Sequence, residues 1–272
     1  MKTMRQLFVL AMLAVSLSAA AQDDLRYALI DYIKVCPSAL SGLDEQMGEI
    51  LNVVNNEVIK DYNGKTSEEL TKDYMEHHFV YDLVGNVLLP AAQEFVTIDE
   101  VKQLTAIMSS PEGQLFQEHQ RQVNAHNDEV GKLGENVMET LLAGVEPDPI
   151  DPPAGCPQEY QQLFAQYFDL MNLGAIAEQL SSLEGMTDDA NTKKMLEYLQ
   201  KNMCNIYLNQ SYGIMTTDDL QFGVKVHQTD AWQHMVQASA QMMKNTQQTG
   251  MGIIMGYIGW LQEQGVELGM EM

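Results

Sequence analysis

The residues of this 272-residue sequence that could bind a metal ion are histidine and acidic side chains at helical spacing. His227, Asp230 and His234 follow one another at three- and four-residue steps, which share one face of a helix. The two histidines lie seven residues apart, about 10 Å along a helix axis, so one ion does not reach both comfortably. Asp230 with His234 is therefore only a weak candidate pair, because a zinc site needs more ligands than these two. We predict no metal site here and interpret the stretch as a polar helix face.

The other histidines give no catalytic pattern. His119 and His126 repeat the seven-residue interval, and Glu76-His77-His78 places two histidines about 100° apart around a helix. None of them has the His-Glu-x-x-His spacing of zinc proteases. The sequence also has no Gly-x-Ser-x-Gly phrase and no glycine-rich phosphate loop. We expect a protein without enzymatic activity and without a cofactor.

A methionine-rich apolar stretch near the end of the chain is the strongest candidate binding surface. The segment from Met251 to Leu261 is apolar nearly all round and is too short to cross a bilayer. Such a helix must be buried, and burial in its own bundle is the first interpretation. An apolar ligand pocket or a partner's groove are the alternatives, since methionine adapts to either. The candidate surface consists of Met251, Met255, Tyr257 and Trp260.

Three cysteines leave several pairings open. A disulfide between Cys156 and Cys204 would leave Cys36 over, and one between Cys36 and Cys156 would join the two halves of the chain. Three buried thiols without any disulfide are an equal alternative.

The elements that position these residues begin at helix-start signals. Thr66 with Glu69 and Thr97 with Glu100 are capping boxes, and Ser110 before Pro111 starts another helix. The phrase at Thr97 recurs 119 residues later, at 216–219. Further correspondences at a spacing of 119 or 120 keep their order over both halves, with one residue lost between them. We infer an internal duplication.

Apolar periodicity predicts helices elsewhere in the chain. One should end at Asn63-Gly64, and another should end at Pro90 because proline does not continue a helix. The predicted helices cover residues 25–35, 38–62, 66–89 and 111–144. No β pattern of comparable length is present, so we predict an all-α fold of two tandem bundles with four or five helices each.

Prolines cluster between the two copies. Residues 145–157 contain five of the eight prolines, interleaved with acidic residues, and such a segment predicts an extended, semi-rigid spacer. We divide the chain into a first helical domain over 22–144, a linker over 145–155 and a second helical domain over 156–272.

Residues 1–21 are typical of a secretory signal peptide. Lys2 and Arg5 supply the basic start, an apolar run follows, and Ala19-Ala20-Ala21 supplies the small-residue cleavage site. We expect an exported protein, periplasmic or extracellular, that is not an integral membrane protein after cleavage.

The chain is strongly acidic. Its formal charge is −23, and removing two cations with the signal peptide gives (15 − 2) − 38 = −25. Binding to nucleic acid needs cations that displace counterions from phosphates, so we exclude this class. The charge keeps an exported protein soluble, with a basic partner as the alternative.

The capped phrase resembles the signature of a known family. Thr97-x-x-Glu100-Val101, an apolar stretch and then Ser110-Pro111-Glu112-Gly113-Gln114 is similar to the domain-of-unknown-function 2059 family of exported bacterial helical proteins. Ile107-Met108 stands near the position of that family's Phe-Tyr pair, and the second copy has Thr229-Asp230-Ala231-Trp232 in place of the turn. The resemblance implies a secreted helical bundle with no established catalysis.

We therefore expect an exported, non-enzymatic module that binds an unknown protein of the cell envelope. A carrier of an apolar small molecule, using the methionine-rich stretch, is the alternative, and a metal-dependent enzyme is the least favoured. The partner and the oligomeric state do not follow from the residues.

Overall fold

The computed structural model describes residues 23–36, 43–125, 128–171, 189–244 and 246–269. The predicted signal peptide, His126 and the predicted helix start at Ser38 lie outside these ranges. The described part is built of helices, with one two-stranded ribbon, so the predicted all-α fold is confirmed. No helix in it is long and apolar enough to cross a bilayer.

The helices of the first half follow each other through short connections. They are α1 (23–35), α2 (Leu43–Val58), α3 (Ser67–His77), α4 (Phe79–Leu83), a π-turn (Val84–Leu88), α5 (Leu89–Ala92), α6 (Ile98–Met108), α7 (Pro111–Asn124) and α8 (Asp128–Leu142). The second half contains α9 (Gln158–Leu170), α10 (Ala190–Ser211), α11 (Thr217–His227), α12 (Asp230–Lys244) and α13 (Thr246–Glu263). The ribbon pairs β1 (Ile59–Asp61) with β2 (Glu267–Leu268), antiparallel.

The chain forms two compact units whose boundaries differ from the division drawn on the sequence. The first unit combines Met1–Ala106 with Gln233–Met272, and the second is Ile107–Trp232. The proline-rich segment lies within the second unit. Each unit thus contains helices from both predicted copies, and the duplication itself stays a prediction.

Two predicted helix ends are wrong for identifiable reasons. The helix expected to reach Tyr62 ends at Val58, because the next residues pair as β1 with β2 before the turn at Asn63 and Gly64. Pro90 does not end its helix. The π-turn before it shifts the hydrogen-bond register, so the proline lies in the first turn of α5, where its missing N–H is tolerated.

The long helix expected from Pro111 to Gly144 is two helices. Helix α7 ends at Asn124 and α8 begins at Asp128, and Gly144 follows with a φ of +76°. Apolar periodicity in this stretch predicted helix correctly but did not reveal the interruption, because both sides of the break keep the same period.

Each unit has its own apolar core. The core of the first unit joins α2, α3, α4 and α13, with Leu51, Leu70, Tyr74, Tyr257 and Leu261 fully buried. The core of the second unit joins α7, α9, α10 and α11 around Phe116, Phe164, Tyr167, Leu208 and Leu220.

The sequence-predicted helix caps are present. Glu69 N–H donates to Thr66 Oγ1 at 3.1 Å, and Thr66 N–H donates to Glu69 Oε2 at 2.8 Å. Thr97 with Glu100 and Thr216 with Asp219 form the same box. Ser110 accepts from Gly113 N–H at 3.1 Å.

Gly113 fills a position with no room for a side chain. A Cβ there would lie 2.8 Å from Met108 Cα and closer still to the Ile107 carbonyl oxygen, both of which are backbone. The turn between α6 and α7 therefore requires glycine at this point.

Gly113→Ala should destabilise the second unit by about 1–3 kcal/mol, because the backbone of the turn has to shift. Gly134→Ala is the matched control. Gly134 lies inside α8, and a Cβ added there would have nothing within 4 Å, so the change should stabilise by about 0.5–1 kcal/mol. Urea unfolding followed by circular dichroism measures both, and equal effects would contradict the close contact.

Candidate functional site

The four residues of the candidate apolar surface divide between two faces of α13. Tyr257 is fully buried and Trp260 is 4% exposed, whereas Met251 and Met255 are 57% and 60% exposed. Ile254 and Ile258, at helical spacing beside the methionines, are half-buried. We call Met251, Ile254, Met255 and Ile258 the methionine ridge.

The buried face of α13 is held by aromatic contacts. The Tyr257 ring lies edge-on to Tyr74 with centroids 4.8 Å apart, and the Trp260 ring lies 5.5 Å from Tyr74. Gly252 and Gly256 allow close approach of the preceding helices, since a Cβ on Gly256 would lie 2.6 Å from Asp82 Oδ2. This packing fixes which side of α13 faces solvent.

A buried hydrogen-bond network fixes the rotation of α13. Tyr257 OH donates to Asn55 Oδ1 at 2.7 Å, and Asn55 Nδ2 donates to Thr71 Oγ1 at 3.0 Å. Tyr74 OH donates to Asp82 Oδ2 at 2.8 Å. Burial, first of all, raises the pKa of Tyr74 and of Tyr257, so both hydroxyls stay protonated donors. Turning α13 would break the bond between the buried Tyr257 hydroxyl and Asn55 Oδ1.

The weak metal pair is not brought together as a ligand set. His234 Nδ1 lies 2.7 Å from Glu100 Oε1, while Asp230 is exposed in the first turn of α12. Within the described residues, no three histidine, cysteine or acidic side chains are grouped so that they could hold a metal ion.

Glu100 therefore makes two kinds of contact: it closes its own capping box, and it is hydrogen-bonded to His234. The hydrogen bond from Thr97 N–H, together with those from the Thr97 hydroxyl and His234, holds the pKa of Glu100 below its ordinary value. The carboxylate is thus ionised where it meets the imidazole.

Asp219 repeats this arrangement in the second unit. It accepts from Thr216 N–H at 2.6 Å and lies 2.8 Å from His119 Nδ1, with only 4% of its side chain exposed. Burial acts to raise the pKa of Asp219, but the bonds from Thr216 and His119 outweigh it and lower the pKa. Sequence reasoning found both capping carboxylates but not their histidine partners, which lie 134 and 100 residues away.

His227 is a core residue. It is 3% exposed, its Nδ1 lies 2.6 Å from the Gly223 carbonyl oxygen, and its ring contacts Tyr167 and Trp232. Burial lowers its pKa from 6.5 to about 4, although the Gly223 contact opposes the shift. The imidazole is neutral at pH 7 and packs as an aromatic ring.

The proline-rich segment is held along α10. We call residues 145–155 the proline strap. Tyr198 OH donates to the Asp148 carbonyl oxygen at 2.6 Å, and Asn202 Oδ1 accepts from Ile150 N–H at 3.0 Å. Asn205 Nδ2 donates to the Ile150 carbonyl oxygen at 2.7 Å.

Two more side chains of α10 and its C-terminus complete this contact. Asn209 Nδ2 donates to the Asp151 carbonyl oxygen at 2.9 Å, and Tyr212 OH donates to the Gly155 carbonyl oxygen at 3.2 Å. We call these five side chains the clamp face: Tyr198, Asn202, Asn205, Asn209 and Tyr212. The segment is neither helix nor strand, and it is bound along a helix of its own unit. The alternating four- and three-residue spacing of the clamp face is the sequence signal that points to it.

The three cysteines, all within the described residues, are not joined by any disulfide. Cys36 and Cys156 are buried and Cys204 is half-buried. Burial raises the pKa of the Cys156 and Cys204 thiols, which makes them poor nucleophiles. Of the three alternatives for the cysteines, the structure therefore has the one in which all three are thiols.

Comparison of the chain with protein-family models, curated proteins and solved structures found no match. The resemblance to the domain-of-unknown-function 2059 family thus rests on the quoted residues alone.

The two capping carboxylates should differ in their contribution to stability. Asp219→Asn should cost about 1.5–3 kcal/mol, because it removes the charge of a buried carboxylate that is hydrogen-bonded to Thr216 and His119. Glu100→Gln should cost about 1 kcal/mol or less, since this pair is more exposed and glutamine can still close the capping box. Urea unfolding at pH 7 gives both values, and the opposite order would contradict the role assigned to burial.

His227 should make folding weaker in acid. The unfolded chain takes up a proton at this residue below pH 6.5 while the folded chain does not until about pH 4, so stability falls as the pH drops through that window. The shift corresponds to about 3 kcal/mol.

The comparison that isolates this effect is His227→Phe, because Asp219 and other carboxylates also weaken folding in acid. The wild-type chain should lose more free energy of unfolding between pH 7 and pH 4 than the variant, in urea titrations at both pH values. Equal losses would contradict a neutral buried imidazole.

Proposed function

We propose that this chain is an exported, non-enzymatic binding protein that docks a basic, amphipathic helical segment of a partner protein on the methionine ridge. The observation that carries the proposal is the exposure of Met251 and Met255 on a helix whose other face is locked into a core.

The spacing of the ridge suits a helical partner. Its four apolar residues follow the three- and four-residue steps by which helices pack in grooves and against other helices. Methionine side chains are flexible and polarisable, so they adapt to a partner surface of irregular shape. The exposed Gly259 continues the ridge and lets a partner backbone approach.

Exposure also favours a protein partner over an apolar small molecule. A carrier surrounds its ligand in a concave site that removes most of the ligand surface from water. Met251 and Met255 instead keep more than half of their surface in solvent, and the residues that would have closed such a site, Tyr257 and Trp260, are core residues. The carrier therefore remains the second candidate.

Charge defines the chemistry of the partner. Helix α13 carries no charged residue before Glu263, although the whole chain has 38 acidic residues and a charge of −23. An uncharged ridge on an acidic protein attracts a segment with an apolar stripe flanked by lysine or arginine, because the surrounding field steers cations. The signal-peptide pattern of residues 1–21 supports placing this partner outside the cytoplasm.

The test uses a synthetic amphipathic leucine–lysine helix and the purified protein. Binding should be detectable by calorimetry with a negative heat-capacity change, because apolar surface is buried. Met251→Glu combined with Met255→Glu should weaken it at least about tenfold. Leu142→Glu is the matched control, since Leu142 is 67% exposed on another helix and should have no effect.

Two outcomes would overturn the proposal. One is equal binding of a scrambled lysine–leucine peptide, which would show attraction by charge alone. The other is that the wild-type protein binds a fluorescent fatty acid but not the peptide, and that the two methionine substitutions abolish fatty-acid binding. This result would support the carrier.

A further inference from the structure

The clamp face binds the proline strap in the way that a receptor binds an extended peptide. All five of its side chains bond to the strap's backbone, four through carbonyl oxygens and one through the Ile150 N–H. Backbone recognition of this kind depends on the extended shape of the ligand and on few of its side chains.

Two asparagine amides of the clamp face are also held by carbonyl oxygens of α10 itself. Asn202 Nδ2 donates to the Tyr198 carbonyl oxygen at 2.8 Å, which turns its Oδ1 towards the Ile150 N–H. Asn209 Nδ2 likewise bonds to the Asn205 carbonyl oxygen at 2.8 Å as well as to Asp151. Such preorganisation lowers the entropy cost of binding an extended chain.

The contacts of the strap are spread along the helix. The stretch from Tyr198 to Tyr212 spans about 21 Å. The strap ends in a turn, in which Cys156 N–H donates to the Pro153 carbonyl oxygen at 3.0 Å. The strap runs in the same direction as α10, since later strap residues bond to later helix residues.

The side chains of the strap follow the polyproline period of three. Pro147, Ile150 and Pro153 are half-buried, while the residues between them are exposed. Prolines in the strap have no N–H to satisfy, and Ile150, whose N–H is bound by Asn202, is not a proline. The ligand pattern is therefore a proline, two residues of any kind, an apolar residue, two residues of any kind and a proline.

The strap has no core residue of its own, because no side chain from 145 to 155 is fully buried. Gly144 and Gly155 lie at its two ends with φ of +76° and +77°. Each end is a hydrogen-bonded turn, in which Val145 N–H donates to the Thr140 carbonyl oxygen at 3.1 Å and Cys156 N–H to the Pro153 carbonyl oxygen at 3.0 Å. Displacing the strap therefore breaks the hydrogen bonds of the clamp face but exposes no fully buried side chain of the strap.

We propose that the clamp face of α10 is a binding site for an extended, proline-rich segment of another protein, and that the proline strap is its built-in occupant. An incoming segment with the pattern above displaces the strap and takes over its backbone hydrogen bonds. This site is separate in sequence from the methionine ridge and does not depend on it.

The experiment offers the strap in trans. A fluorescein-labelled peptide with the sequence of residues 145–155 is titrated with two forms of the full chain, and binding is read by anisotropy. The first form is wild type. The second carries five substitutions that loosen the strap: Pro147→Ser, Pro149→Ser, Ile150→Gly, Pro152→Ser and Pro153→Ser.

The loosened chain should bind the peptide at least about tenfold more tightly than wild type, because its own strap competes less well. Adding Asn202→Ala and Asn205→Ala should remove that gain, whereas Gln200→Ala, on an exposed position of the same helix, should leave it intact. A peptide methylated on the nitrogen of its isoleucine should bind at least about tenfold more weakly, because it has no proton for Asn202.

A loosened chain that is folded by circular dichroism but does not bind the peptide overturns the proposal, as does equal binding of the methylated peptide. If the loosened chain does not fold, hydrogen exchange measured on the wild-type chain tests the proposal instead. The Ile150 amide should exchange at least about tenfold faster than the Leu208 amide of α10, since the strap opens independently of the core. An Ile150 amide as protected as Leu208 overturns the proposal.

Discussion

In each unit, one carboxylate caps the start of a helix and also accepts a hydrogen bond from a second helix. Glu100 and Asp219 occupy the third helical position after a threonine cap, where the helix N-terminus favours negative charge. Each also accepts a hydrogen bond from a histidine far away in the sequence, which ties the start of the capped helix to a second helix. Local capping and tertiary packing are thus coupled through one carboxylate, by its two oxygens in Glu100 and by Oδ2 alone in Asp219.

The histidine partners explain why a boundary drawn between the predicted copies does not separate the compact units. Glu100 belongs to the first predicted copy and His234 to the second, while Asp219 belongs to the second copy and His119 to the first. Each unit therefore draws helices from both copies. The proline strap, interpreted from composition as a spacer, lies inside the second unit because α10 supplies partners for its backbone.

Features set by neighbouring residues were predictable, and features set by distant ones were not. The caps at Thr66, Thr97 and Thr216 depend on a side chain and a backbone group three residues apart, so residue spacing reveals them. The burial of Tyr257 depends on Asn55, 202 residues earlier, and periodicity on an all-apolar helix does not show which face is covered. The candidate surface predicted from the sequence therefore included two residues of the buried face of α13, Tyr257 and Trp260.

The discontinuity of the first unit has a consequence for biosynthesis. The second unit is one uninterrupted stretch and is complete once residue 232 has left the ribosome. The first unit must wait for α13, because Tyr257 and Trp260 close a core whose other members were made some 200 residues earlier. Until then Leu51, Leu70 and Tyr74 lack their last covering layer and are a natural target for a holdase chaperone. A nascent chain that stalls before α13 would leave one finished unit beside one that is still open.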